Sequence, residues 1–162
     1  MDKHYPSNAS DTLASQVFTP VQSPIVSSKL LPPRSAGRLI SRERLQEQML
    51  KARRQRCIVL KGPAGCGKTS TLIAWRQALL PLGFDVAWLT LSADDNELTR
   101  FLDYLLASLG QIEPNLVHEA TQLEGRGIDG EAVERTVITL VRSISRRNRE
   151  LVLVLDDLHH LT

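Results

Sequence analysis

Two cysteines in 162 residues, Cys57 and Cys66, are too few for a disulfide framework and lack metal-ligand spacing, so reduced thiols in a cytosolic protein are the simple reading. Charge of one sign is scarce too. Twenty basic against 18 acidic side chains leave +2, a balance too even to argue for nucleic-acid binding through this segment. No apolar run approaches the length of a membrane span, and no charged start followed by an apolar core marks a signal peptide. There is no internal repeat and no Asn-Lys-x-Asp motif of the kind that reads guanine. What remains is an ordinary globular composition, 42% hydrophobic and 23% charged, in a length that suits one domain with a sizeable core. The basic runs 51–56 and 146–149 lie at the ends of expected helices, where cations complement the dipole, and are read as solvated helix ends.

Against that plain background, residues 62–69 read Gly-Pro-Ala-Gly-Cys-Gly-Lys-Thr, a complete G-x-x-x-x-G-K-T phosphate-binding loop. Glycines without a Cβ let the backbone curl its N–H groups into an anion nest, Lys68 can reach the β and γ phosphates, and the Thr69 hydroxyl can ligate Mg²⁺. Before the loop, residues 57–60 (Cys-Ile-Val-Leu) have the apolar, partly β-branched character of a buried parallel strand. After it, residues 70–80 carry Leu72, Ile73, Arg76 and Leu79 at helical spacing and stop at Pro81 and Gly83. Such a helix directs its N-terminus at bound phosphates. Gly62, Pro63, Ala64, Gly65, Cys66, Gly67, Lys68, Thr69 and Ser70 are therefore the candidate contacts to a nucleotide such as ATP.

The rest of the chain supplies a scaffold. Residues 1–24, rich in Ser, Pro, Asn and Thr, are expected to be a disordered leader, and the paired prolines make residues 25–34 extended. Ser41 can cap a helix running through Ala52, with Leu45 and Met49 on one face. A second strand is expected over 84–91, its Trp88 in the core. Asp94, Asp95 and Asn96 then cap an amphipathic helix whose Leu98, Phe101, Leu102, Leu105, Leu106 and Leu109 form a stripe ended by Gly110. A connector over 111–130, with Pro114, Gly125 and Gly127 and room for one short helical piece, leads to a helix over 131–146 that turns Val133, Val137, Leu140, Val141 and Ile144 inward. Strands alternating with helices imply an α/β fold, a parallel sheet with flanking helices.

The most strand-like run, 151–155, ends in Asp156 and Asp157. An apolar strand that delivers a carboxylate is how P-loop enzymes hold Mg²⁺ opposite the loop threonine. Thr69 and Asp156 are thus the candidate metal ligands. Asp157 stands where ATPases of the additional-strand class often carry an acid that orients or deprotonates the attacking water, so Lys68 and Asp157 are the candidate catalytic residues. His159 and His160, being adjacent, diverge in direction and have no third ligand.

The chain resembles the N-terminal part of the large ATP-binding LuxR-type transcriptional activators, the MalT-like branch of the signal-transduction P-loop ATPases called STAND. The similarity rests on residues 28–32 (Ser-Lys-Leu-Leu-Pro), 39–45, the phosphate loop with Trp75, 88–96 running into 100–105, and 153–159. It implies a switch in which ATP and an inducer promote self-association and a C-terminal helix-turn-helix domain binds promoters, with slow hydrolysis as the reset. It also implies that Leu39, Ile40 and Arg42 lie near the adenine or ribose. On this resemblance the chain is expected to be truncated just past the magnesium (Walker B) strand: an incomplete, AAA-like P-loop NTPase domain over 25–162, without the remaining strands, sensor arginine, inducer-binding repeats or DNA-binding domain. Self-association and promoter DNA would then engage missing regions, with no membrane partner and a cytoplasmic location. In the additional-strand class another strand separates the phosphate-loop strand from the magnesium strand, so 57–61 and 151–155 should not pair. The alternatives are a small P-loop kinase or a non-functional remnant.

Overall fold

The computed structural model describes residues 25–34, 42–121 and 130–162. The expected leader, the base contacts Leu39 and Ile40, the cap Ser41 and the glycines Gly125 and Gly127 lie outside the described residues.

Two strands form the centre: β1, Asp85–Thr90, and β2, Leu151–Asp156. They pair in parallel, with Asp85 opposite Leu151 and Thr90 opposite Asp156. Both are apolar almost throughout, and successive side chains point to opposite sides; β1 is covered on both faces, whereas Leu153 of β2 is exposed. Val86, Trp88 and Val154 face α1 (Glu43–Lys51) and α2 (Lys68–Leu79), meeting Met49, Trp75 and Leu79. On the other side Ala87 meets Leu106 and Leu109 of α3 (Leu98–Gly110), Ala120 of α4 (Pro114–Thr121) and Leu140 of α5 (Gly130–Ser145). The fold is α/β, a parallel sheet between helical layers. Trp88, 2% exposed, is core, as its strand setting implies.

Several sequence expectations are corrected. Residues 57–60 are not a strand: they have no regular structure, Val59 is 63% exposed and Cys57 is exposed rather than buried. A strand exists only within a ladder, and no described segment pairs with this one. Residues 151–155 pair with β1, and since 57–61 form no strand the expected spacing between two separated strands has no counterpart here. The acidic triplet does not cap α3. Ala93–Asn96 form a separate 3-10 turn, closed by a reciprocal Ser92–Asp95 capping box, and Glu97 precedes the helix without a side-chain cap. Leu98 of the α3 stripe is exposed, and Gly110 lies inside the helix rather than after it.

In α5 Leu140 is buried, but Val137 and Val141 are exposed, because a helix over two strands has only a narrow apolar face to meet. The end of the 146–149 run is not simply solvated. Arg147, whose side chain is 8% exposed, forms a close ion pair with Asp85, and Arg149 bonds the same carboxylate at 3.1 Å, tying the α5–β2 connection to the start of β1.

Candidate functional site

The phosphate loop takes its shape from three local features. Gly65 (φ 74°) and Gly67 (φ 82°) occupy the left-handed region, where a side chain would be strained. Gly67 stands just before α2, and its carbonyl accepts from the Thr71 amide at 3.0 Å and the Thr71 hydroxyl at 2.9 Å, so the helix begins immediately after the loop. At Gly62 a Cβ would lie 2.6 Å from Cys66 Sγ, so a side chain there would require the Cys66 thiol to move. α2 thus starts at Lys68, two residues earlier than its apolar spacing implies.

Two cations brace this loop. Lys68 Nζ donates to the Gly62 and Pro63 carbonyls, each at 3.0 Å, and Arg42 donates to the Cys66 carbonyl at 2.7 Å. Arg42, a residue before α1, therefore reaches the centre of the phosphate loop, and its guanidinium is 3.3 Å from where a Gly67 Cβ would stand.

β2 brings its terminal carboxylate to the other side. Thr69 Oγ1 donates to Asp156 Oδ1 at 3.2 Å across 87 residues of sequence, and the Asp157 amide donates to the same oxygen at 3.1 Å. Asp156 is 4% exposed. Burial pushes its carboxyl above the usual range, and the neighbouring Asp157 charge adds to this; the bonds from Thr69 and the Asp157 amide and the Lys68 charge pull the other way. A hydroxyl and a buried carboxylate whose charge is under-compensated form a hard-oxygen donor pair that fits Mg²⁺. Asp157 is the only non-glycine residue with positive φ among the described residues (φ 58°). Aspartate tolerates this conformation better than most residues, and such outliers gather at functional sites. His159 and His160 stack with ring centroids 4.2 Å apart, and no group of three potential metal-ligating side chains is found among the described residues.

Sequence reasoning missed the support behind β1. Lys29, in the 3-10 turn Ser27–Leu30, donates to both Asp95 oxygens at 2.8 and 2.6 Å and to Ser92 at 2.7 Å. Asp95 also accepts from the Ser92 amide at 2.7 Å. Burial works to raise the Asp95 carboxyl, but the bonds from Lys29 and Ser92 prevail and hold it below the usual range. Lys29 lies 4.6 Å above the Tyr104 ring, whose hydroxyl accepts from the Val26 amide at 3.2 Å. Lys29 and Asp95 stand in two of the signature segments, but their 66-residue separation leaves no periodic signal.

Comparison with known proteins adds an independent line. Residues 34–162 match the family described as AAA ATPase domain. Among curated proteins, the serine/threonine-protein kinase PknK of Mycobacterium tuberculosis (strain ATCC 25618 / H37Rv) is 32% identical over 140 residues, 86% of this chain and 12% of that protein. The HTH-type transcriptional regulator MalT of Klebsiella pneumoniae subsp. pneumoniae is 29% identical over 135 residues, 83% of this chain and 14% of its own length. That of Cronobacter sakazakii is 28% identical over 138 residues, 85% of this chain and 15% of its own length. The resemblance to MalT-like regulators is thereby shown, and the chain spans 12 to 15% of the length of these relatives. No solved structure matches at a significant level. No helix among the described residues is long and apolar enough to cross a membrane. With the family match covering most of its length and a phosphate loop facing an aspartate-terminated strand, the chain belongs to the AAA ATPase domain family.

Proposed function

We propose that this chain binds ATP with Mg²⁺ through the loop 62–69, Ser70 and Arg42, and that it is the nucleotide switch of a MalT-like, LuxR-type transcriptional regulator of the STAND group. The observation that carries this reading is the 3.2 Å bond between Thr69 and Asp156, which joins the end of the phosphate loop to the end of the aspartate strand. In this reading the loop amides and the α2 N-terminus receive the phosphates, and Lys68 exchanges the Gly62 and Pro63 carbonyls for phosphate oxygens. Thr69 and Asp156 hold the metal, which when bound neutralises phosphate charge. Asp157 orients water for a slow hydrolysis that resets the switch.

Promoter binding, suggested by the regulator name of the MalT relatives, and self-association, implied by the family resemblance, would engage regions other than these residues, and the setting would be cytoplasmic. The kinase in PknK's name describes that protein, of which this chain matches 12%. The test is titration with a fluorescent ATP analogue, with GTP as competitor, for the chain and for Lys68→Ala. Binding of ATP over GTP that falls in the variant supports the reading; no binding by the unaltered chain, or equal affinity of the variant, overturns it.

A further inference from the structure

β1 runs on through Leu91, whose amide donates to the Asp156 carbonyl at 3.0 Å, into the turn Ala93–Asn96, and the last residue of that turn is bonded to the chain that follows the two aspartates. Asn96 uses both ends of its amide on that segment: Nδ2 donates to the His160 carbonyl at 2.8 Å, and Oδ1 accepts from the Thr162 amide at 2.9 Å. The His160 amide in turn donates to the Asp157 carbonyl at 3.1 Å, closing the 3-10 turn Leu158–His160. The Asp157 amide donates to Asp156 Oδ1 at 3.1 Å, and that oxygen accepts from Thr69 at 3.2 Å. A continuous series of hydrogen bonds therefore runs from Asn96 through the Leu158–His160 turn and both aspartates to the first turn of α2. Its far end is anchored, because the neighbouring Asp95 is fixed by Lys29 and Ser92 and Asn96 also donates to the Ala93 carbonyl at 3.1 Å.

We propose that Asn96 is a positioning residue for the metal half of the nucleotide site: by holding the backbone at 160 and 162, it keeps Asp157 left-handed and Asp156 aimed at Thr69. The inference rests on the nucleotide reading above. The physical basis is the single strained residue of the series. Asp157 leaves the left-handed region easily unless its neighbours on both sides are held. Asp156 holds one side and the Leu158–His160 turn, tied to Asn96, holds the other. Asparagine meets the requirement because it presents a donor and an acceptor in one plane, matching the carbonyl and amide two residues apart. Coupling along the series shows as a response at its other end.

The experiment compares the 162-residue chain with Asn96→Ala, Asn96→Asp and Asp94→Ala. Asn96→Asp keeps the oxygen that accepts from Thr162 and removes the donor to His160; Asp94→Ala alters an exposed position of the same turn. For each, affinity for a fluorescent ATP analogue is measured in EDTA and across a Mg²⁺ titration, beside the melting midpoint and the amide resonance of Asp157. The expected result is an unchanged metal-free affinity in all four, with the Mg²⁺-dependent gain reduced about two- to tenfold in both Asn96 variants, the range one hydrogen bond spans. Asp94→Ala should keep the full gain. The Asp157 amide should shift in Asn96→Asp at an unchanged melting midpoint, which a merely stabilising role would not produce. A full Mg²⁺ gain in both Asn96 variants, or a loss that only follows the fraction unfolded, overturns the proposal. If the unaltered chain binds no nucleotide, the function reading fails by itself, and the Asp157 resonance, which needs no ligand, decides whether Asn96 sets that geometry: no shift overturns it.

Discussion

The phosphate loop and the 92–96 turn are both short connections at the same end of the molecule, but they are held in opposite ways. The loop follows a run that joins no sheet, its first four residues are exposed, and its bracing bonds come from Lys68 and Arg42 to backbone carbonyls that a ligand can replace. The turn carries an aspartate 1% exposed that accepts from Lys29 and from Ser92, and it rests on the cluster of Leu30, Leu89, Leu91 and Tyr104. On the proposed nucleotide reading, the difference is a division of work. Groups that must receive a ligand are left with exchangeable partners, and the stability that keeps them in place is concentrated in a neighbour with none to exchange.

The largest test of that contrast is Lys29→Met. Removing one partner of a buried ion pair leaves the Asp95 charge uncompensated, at a cost of about 3–5 kcal/mol, toward the low end because Arg100 Nε stands 3.5 Å from the same carboxylate. Chemical denaturation reads this directly, and a stability loss under about 1 kcal/mol would abolish the contrast, since surface pairs contribute no more. The pair also has a pH signature. The Asp95 carboxyl is lower in the folded chain than in the unfolded one, so its contribution is full above the ordinary carboxylate range and is lost as pH falls through the depressed folded value. Lys29→Met should flatten that part of the acid limb.

The converse change is Lys68→Ala in the loop. It should weaken ATP binding by about one to two orders of magnitude, from charge-assisted bonds worth roughly 1.5–3 kcal/mol, with the melting midpoint nearly unmoved. A drop in stability matching that of Lys29→Met would show that the loop is structural after all.

A smaller effect is expected at Asp156, whose carboxylate accepts from Thr69 at the end of the loop. Its carboxyl is raised, so the ionised form costs folded-state stability at neutral pH, and that cost is relieved as pH falls through the raised value. Asp156→Asn should therefore raise the melting midpoint of the nucleotide-free chain while removing much of the Mg²⁺ dependence of binding. A lowered midpoint would mean that the bond from Thr69 outweighs desolvation. Least of all, Mg-ATP should protect Cys66 from alkylation and leave the exposed Cys57 unprotected. Equal labelling of both with and without nucleotide would remove Cys66 from the site.

Much of the site was legible because its determinants are local. Gly65 and Gly67 mark the loop through backbone freedom, Lys68 and Thr69 by register, and Asp156 by standing at the end of an apolar run. The α3 stripe gave Leu102, Leu106 and Leu109 correctly as buried. Illegible were the features that depend on a distant partner. Asp95 reads as a helix cap, because a carboxylate before a helix usually is one, and only Lys29 makes it the acceptor of a buried ion pair. Arg147 reads as a solvated helix end until Asp85 is brought beside it.

By itself, then, the sequence determined the α/β class, the phosphate loop with its helix, the aspartate-terminated strand and the family that these residues mark, because glycine conformations, motif register and apolar periodicity act over a few residues. The tertiary structure alone decided that β2 pairs with β1 while residues 57–60 join no ladder, that Arg42 reaches the Cys66 carbonyl, that Lys29 pairs with Asp95, and that Asn96 bonds the chain at 160 and 162. Ladders, buried ion pairs and hydrogen bonds across 24 to 87 residues form only where packing sets both partners at bonding distance, and no local pattern encodes that distance.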